Sequence, residues 1–190
     1  MLALLVMTAG TAGACSCHGP SSASPASASG RGGEGSETPP AVPDKLAVPA
    51  DVVVALKAHA VGAQRYACKA QTDKPDPFAW VLVAPDAELF DAAGKRIGKH
   101  YEGPTWEDSE GGKVVGALKE KADSPDSEAI AWLLLEAKSN VGNGALGHAK
   151  YIQRVATVGG KPPKTGCDEK AVGTEVRIPY SADYYFYVSR

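Results

Sequence analysis

Hydrophobic and polar residues alternate with a period of two through most of the chain beyond residue 45. Such alternation is typical of strands that bury one face and expose the other. The clearest segments are DVVVALKAHA from Asp51, FAWVLV from Phe78 and DYYFYV from Asp183, and turn-forming glycines and prolines separate them. Counting all such segments gives eight to ten short strands, which predicts an all-β domain, either an antiparallel β-barrel or a β-sandwich.

Three finer predictions follow from the same pattern. In the first strand, the even-numbered residues of 52–58 should share one face, and Gly62 should form a β-bulge. A second strand, at residues 78–83, should stop before Pro85. The segment AIAWLLLEAK, residues 129–138, suits either a helix or a fully buried strand, and we favour the strand.

The first fifteen residues, MLALLVMTAGTAGAC, form an apolar run that ends in small residues, as secretory signal peptides do. The run is too short to span a bilayer as a helix, which needs about 20 apolar residues. Ala12-Gly-Ala-Cys15 resembles a bacterial lipobox, although alanine replaces the usual leucine and no basic residue precedes the run. We predict a signal peptide over residues 1–15 with Cys15 as the lipidation site. The alternatives are an ordinary signal peptide and a buried segment.

Residues 16–44 are rich in Ser, Pro, Gly and Ala and hold few large apolar side chains. Such a segment cannot bury enough surface to offset its ordering entropy, so we predict a disordered tether, on the order of 30 Å in reach. Residues 45–190 then form a single β-rich domain, long enough for a core of its own. This layout predicts an exported protein, lipid-anchored in the cell envelope on its periplasmic or extracellular face.

The cysteines agree with an oxidising compartment. If Cys15 carries a lipid, Cys17, Cys68 and Cys167 are left, and the last two lie inside the predicted domain. We predict a disulfide between Cys68 and Cys167, with two buried free thiols as the alternative.

The charges are balanced, with 20 basic and 22 acidic residues and a net charge of −2. We therefore expect no nucleic-acid partner, because the basic stripe of a nucleic-acid-binding protein is missing. The segment Gly142-Asn-Gly-Ala-Leu-Gly147 matches G-x-G-x-x-G, but a strand pattern follows it where a dinucleotide site needs a helix. We predict a glycine-rich hairpin loop there, and no cofactor.

The stretch HYEGPTWEDSEGG, which begins at His100, carries the candidate chemistry. His100 is a possible acid, base or metal ligand, and Glu107 and Asp108 could orient it, so these three are the catalytic candidates. An activated nucleophile is missing from the motif, and a hydrogen-bonded turn histidine is the structural alternative. Gly103-Pro104 should bend the chain sharply and bring His100 close to Trp106.

Two further arrangements depend on contacts across the fold. Convergence of His59 and His148 on His100 would make a metal site. The sequence does not show that convergence, and we predict no metal. Arg154 is a possible partner for Asp183 inside the domain, in a pair that would serve structure.

The C-terminal strand is crowded with aromatic residues. In a barrel, alternate members of such a strand point inward, where tyrosines can line a ligand cavity or a sugar-binding wall. The ligand-binding candidates are Trp106, Tyr180, Tyr184 and Tyr185. An aromatic-rich closing strand without a ligand is the structural alternative.

The order of these landmarks resembles that of domain-of-unknown-function family 3455, a family of exported bacterial and fungal proteins. The resemblance runs from about residue 46 to residue 187, and its distinctive motifs are HYEGPTWE, GCD at residues 166–168 and PYSADYYFY at residues 179–187. The family implies no established activity, so the chemistry must be argued from the residues.

These observations favour a non-catalytic β-domain that binds a small molecule or a polysaccharide and is held to the membrane by its lipid. One alternative is a secreted hydrolase or metal-dependent enzyme that uses His100 with Glu107 or Asp108. Another is a structural module for protein interaction.

The lipid anchor predicts the chemistry of the mature N-terminus. Mass spectrometry of the protein from its own cells should find Cys15 as the first residue, carrying a diacylglycerol. An unmodified Cys15, or cleavage elsewhere, would refute the anchor.

Overall fold

The computed structural model describes residues 37–72, 74 and 76–190. Its eight strands pair antiparallel in chain order, and the last pairs with the first, so that the sheet closes into a barrel. The strands are β1 Val52–Ala70, β2 Phe78–Phe90, β3 Arg96–Tyr101, β4 Thr105–Asp108, β5 Lys113–Ala122, β6 Trp132–Val141, β7 Tyr151–Gly159 and β8 Glu175–Ser189. The predicted all-β barrel is confirmed, and β6 confirms the strand favoured for residues 129–138. The predicted signal peptide and most of the predicted tether lie outside the described residues.

The barrel interior is a continuous core closed at one end by a short helix, α1 Gly144–His148. Leu146 of this helix is fully buried against Trp106, Phe186 and other inward residues. The helix occupies the predicted glycine-rich loop, and a Cβ on Gly147 would come within 2.2 Å of the Gly142 carbonyl oxygen. The glycines of this motif therefore allow a tight end cap.

The first strand changes face where it was expected to be regular. Its pairing with β8 shifts between Val54 and Leu56. Val54 consequently packs on the outer wall, whereas Leu56 and Ala58 pack into the interior, so the predicted common face is wrong.

The bulge predicted at Gly62 is also wrong, because the register of β1 with β2 runs unbroken through this residue. A Cβ on Gly62 would lie 2.2 Å from the Asp86 carbonyl oxygen, so glycine permits close strand contact.

The second strand continues through Pro85, where the sequence predicted a stop. In the described part of the chain, β3 pairs with β2 only between Ala87 and Phe90. Residues 78–86 therefore have one unpaired edge, where a proline without an N–H breaks no ladder bond. This open edge borders the cavity described below.

Two attachments hold the barrel wall from outside. A disulfide joins Cys68 to Cys167, 99 residues apart, as the cysteine pattern predicted. In the chain-entropy model, closing a loop of that length stabilises the fold by up to about 4.7 kcal/mol. The segment that precedes β1 also packs on the outer wall through Leu46, which is fully buried. The Leu46 carbonyl oxygen accepts a hydrogen bond from Gln153 Nε2 at 2.6 Å.

The helices of the described residues are short. None of them has the length and apolar character needed to cross a membrane.

Candidate ligand cavity

A cavity of about 400 Å³ lies inside the barrel, towards the end away from α1. Its rim is formed by the unpaired part of β2 at residues 82–85 and by the β3–β4 turn at residues 102–104. Inside this rim the walls combine aromatic, aliphatic and polar side chains, chiefly Gln64, His100, Trp106, Leu133, Arg154 and Tyr184. Seven of the eight strands contribute to the site, all but β5, so its composition depends on the closure of the sheet.

The β3–β4 turn places His100 directly beside Trp106. The two residues are cross-strand partners, and their rings stack with centroids 4.3 Å apart and planes 7° from parallel. Gly103 has a φ of +129°, and the Thr105 hydroxyl donates to the Glu102 carbonyl oxygen at 2.7 Å, which locks the turn. The predicted effect of the Gly-Pro turn is therefore confirmed, and the stack forms one wall of the cavity.

His100 is an uncharged residue of this wall. Its side chain is buried, and Nδ1 lies 2.8 Å from the Thr105 carbonyl oxygen. Since a carbonyl can only accept, Nδ1 carries the proton and Nε2 keeps a lone pair. The pKa of His100 is lowered to about 3, chiefly by burial; the Thr105 hydrogen bond opposes this shift, and the nearby Arg154 charge adds to it.

Glu107 lies on the opposite face of the wall from His100. Strand pairing sets His100 against Trp106 and Lys99 against Glu107, and successive residues of a strand point to opposite faces. On the outer face Glu107 accepts a hydrogen bond from the Tyr101 hydroxyl at 2.5 Å and lies 3.5 Å from the Lys113 ammonium. The Tyr101 hydrogen bond, helped by the neighbouring lysines, lowers the pKa of Glu107.

Asp108 is engaged in the β4–β5 turn. Its Oδ1 accepts hydrogen bonds from the backbone N–H groups of Glu110 at 2.9 Å and Gly112 at 2.8 Å. The structure therefore does not bring Glu107 or Asp108 to His100, and an acid–base pair built from them lacks the contact that it requires.

The other histidines also lie apart from His100. His59 is on the outer wall, where Nδ1 is 2.7 Å from Asp183 Oδ1, and His148 is exposed at the end of α1. Within the described residues, no three His, Cys, Asp or Glu side chains are grouped so that they could hold a metal ion.

Arg154 points into the barrel without the predicted partner. Asp183 pairs with Val155 of β7, and its carboxylate faces outward, 3.3 Å from the Lys57 ammonium. The hypothesis of an Arg154–Asp183 pair is therefore wrong, because the two side chains lie on opposite faces. Arg154 donates from Nε and Nη2 to the Ala131 carbonyl oxygen, at 3.1 and 2.8 Å. No salt bridge to Arg154 forms within the described part of the chain.

The aromatic residues predicted to bind a ligand lie on two different faces of the barrel wall. Trp106 and Tyr184 line the cavity, and Tyr180 is buried in the same inward row of β8. Tyr185 faces outward, beneath the Lys57 ammonium at 5.4 Å from its ring centre. Burial raises the pKa of Tyr180 and of Tyr184, so both hydroxyls stay protonated at neutral pH.

Several buried polar atoms at or beside the cavity have no hydrogen-bond partner in the described protein. They are Gln64 Nε2, Trp106 Nε1, Tyr180 Oη and Tyr184 Oη. The two tyrosines are close enough to affect each other's pKa, yet no hydrogen bond of normal geometry joins their hydroxyls.

Gln64 is a cavity residue that the sequence-based candidates did not include. Its position as a polar residue between Gly62 and Tyr66, in the inward row of β1, was a usable signal.

Comparison with known proteins identifies the domain and adds no activity. A family model described as "Protein of unknown function (DUF3455)" matches residues 49–188. This confirms the resemblance drawn from the sequence motifs. No curated protein and no solved structure shows significant similarity to the chain.

The buried neutral state of His100 predicts a pH dependence of stability. Its pKa is 6.5 when unfolded and about 3 when folded, so between these values the unfolded chain binds a proton that the native imidazole does not. The free energy of unfolding should therefore fall with pH from about 6.5 towards 3, by up to about 1.4 kcal/mol per pH unit from this group.

Urea unfolding across this pH range measures the effect. The His100→Gln variant should show a shallower decline than the native protein. Equal slopes for the native protein and His100→Gln would contradict the burial of a neutral imidazole.

Proposed function

The chain belongs to the family described as DUF3455, proteins of unknown function. From its N-terminal sequence we propose that it is an envelope lipoprotein, and from the geometry of its cavity we propose that the β-barrel binds a small organic ligand. Binding takes place inside the barrel, in the cavity beside the His100–Trp106 stack. The protein holds its ligand without transforming it.

The cavity and its lining carry this proposal. Known sites for small molecules are clefts of about 300–1,000 Å³, lined mainly by apolar and aromatic groups with a few placed polar atoms. The cavity here, at about 400 Å³, has that size and that mixture, with Trp106 and Tyr184 beside Gln64 and Arg154. Its rim is half formed by an unpaired strand edge, which provides a route from solvent.

The state of the polar groups favours binding over catalysis. His100 uses Nδ1 on a backbone carbonyl and stays neutral, whereas Glu107 and Asp108 are engaged elsewhere. A general acid–base mechanism needs a titratable group near the working pH and within reach of its partner. The lining residues of the cavity supply shape and hydrogen-bond donors.

Export and anchoring complete the proposal. The signal-peptide pattern and the lipobox-like Cys15 would place the domain on a leash at the membrane surface, and the Cys68–Cys167 disulfide suits an oxidising compartment. In that position the barrel meets small molecules that diffuse through the envelope.

Blocking the cavity tests the binding proposal. We would titrate the full-length protein with benzoate, 2-naphthoate and octanoate and with the three corresponding primary amides, by calorimetry. Leu133→Trp fills the cavity, so it should weaken binding of the best probe at least about tenfold. Val158→Trp introduces the same indole at a side chain that is 58% exposed on the outer wall, opposite Ser181, and it should leave affinity unchanged.

Two outcomes of this titration would contradict the proposal. Absence of binding by all six probes would refute the proposed function. Equal affinity in the native protein and a folded Leu133→Trp variant would place the ligand outside the barrel and refute it as well.

A further inference from the structure

Arg154 brings an uncompensated positive charge to the cavity. Its guanidinium uses part of its N–H fork on the Ala131 carbonyl oxygen, and among the described residues no carboxylate lies within salt-bridge distance. The acid that borders the cavity, Glu102, is exposed in the rim turn, where solvent screens its charge. A partly buried cation without a counter-charge is costly to the fold unless something pairs with it.

The side chains around Arg154 carry further hydrogen-bond donors that have no acceptor. Trp106 Nε1 and Gln64 Nε2 can only donate, and the hydroxyl hydrogen of Tyr184 is also unused. All three side chains are at most 2% exposed and line the cavity. Unpaired buried donors are rare in folded proteins, because each one gives up its hydrogen bonds to water without a replacement and so destabilises the fold. These N–H and O–H groups therefore lack acceptors, and no carboxylate of the described residues lies within salt-bridge distance of Arg154.

We propose that the cavity recognises an organic monocarboxylate, with its carboxylate at Arg154 and Tyr184 and its apolar body against Trp106 and Leu133. This inference rests on the proposed ligand-binding function and names its ligand class. One cation matches one negative charge, and the planar guanidinium fork matches the planar carboxylate. The aromatic and aliphatic walls require an organic body, which an inorganic anion would not supply.

Matched acids and amides test the class of ligand. Benzoate, 2-naphthoate and octanoate differ from their primary amides chiefly in charge, so the best acid should bind the native protein at least about tenfold more tightly than its amide. Arg154→Gln should weaken binding of that acid about 10- to 100-fold and leave the amide nearly unchanged. Arg177→Gln is the matched control, because it removes the same charge from an outer-wall pair with Asp86.

Tyr184→Phe keeps the test decisive if Arg154→Gln fails to fold. The lost hydroxyl lies close enough to Arg154 and Tyr180 for both to lower its pKa, but it forms no hydrogen bond of normal geometry with either, so the variant should still fold without ligand. It should still bind the acid several-fold more weakly. The Leu133→Trp variant should lose acids and amides alike.

The outcomes separate the two proposals. If amides bind as tightly as acids, or if Arg154→Gln and Tyr184→Phe both keep full affinity for the acid, the carboxylate inference is overturned and the ligand-binding function stands. If neither acids nor amides bind, the function itself fails. An equal loss of acid affinity in Arg154→Gln and Arg177→Gln would show attraction by overall charge and would also overturn the inference.

Discussion

The pairing of β8 back onto β1 is the constraint on which the rest of the structure depends. It is the longest ladder of the sheet, and it closes the ring and removes the sheet's edges along most of their length. It also decides which side chains point inward, because a slip of one residue would turn every side chain of a strand to the other face. Arg154 and Tyr184 share the interior only in this register, in which they are direct cross-strand partners.

The cavity follows from this closure and from two local irregularities. The short β3–β4 hairpin turns at Gly103 and lays His100 flat on Trp106, which makes a rigid wall. Opposite this turn, β2 runs on through Pro85 with one edge unpaired, and the barrel stays open there. At the other end α1 fills the interior with Leu146, so the opening lies at one end of the barrel.

Much of the architecture could be predicted from the sequence because it follows from local pattern. Period-two alternation and turn residues predicted the all-β fold, the strand favoured for residues 129–138 and the contact between His100 and Trp106; in β6 only Leu134 and Leu135 are buried. The cysteine count predicted the disulfide. Failures came where a bulge or a long-range register decides the outcome, as at Val54 and Leu56, where the strand changes face. The Arg154–Asp183 hypothesis failed for the same reason, since Asp183 lies opposite Val155. The convergence of Gln64, Arg154 and Tyr184 on one cavity likewise depends on register across distant strands.

The indole N–H of Trp106 offers the most direct test of the central claim, that the cavity beside the His100–Trp106 stack binds an organic ligand. In a ¹H–¹⁵N spectrum, titration with 2-naphthoate should shift the Trp106 indole resonance progressively to saturation. Trp80 is the internal control, since its indole already donates to the Thr165 carbonyl oxygen at 3.0 Å, and its resonance should stay in place. A Trp106 resonance that stays unchanged at saturating 2-naphthoate would contradict the account.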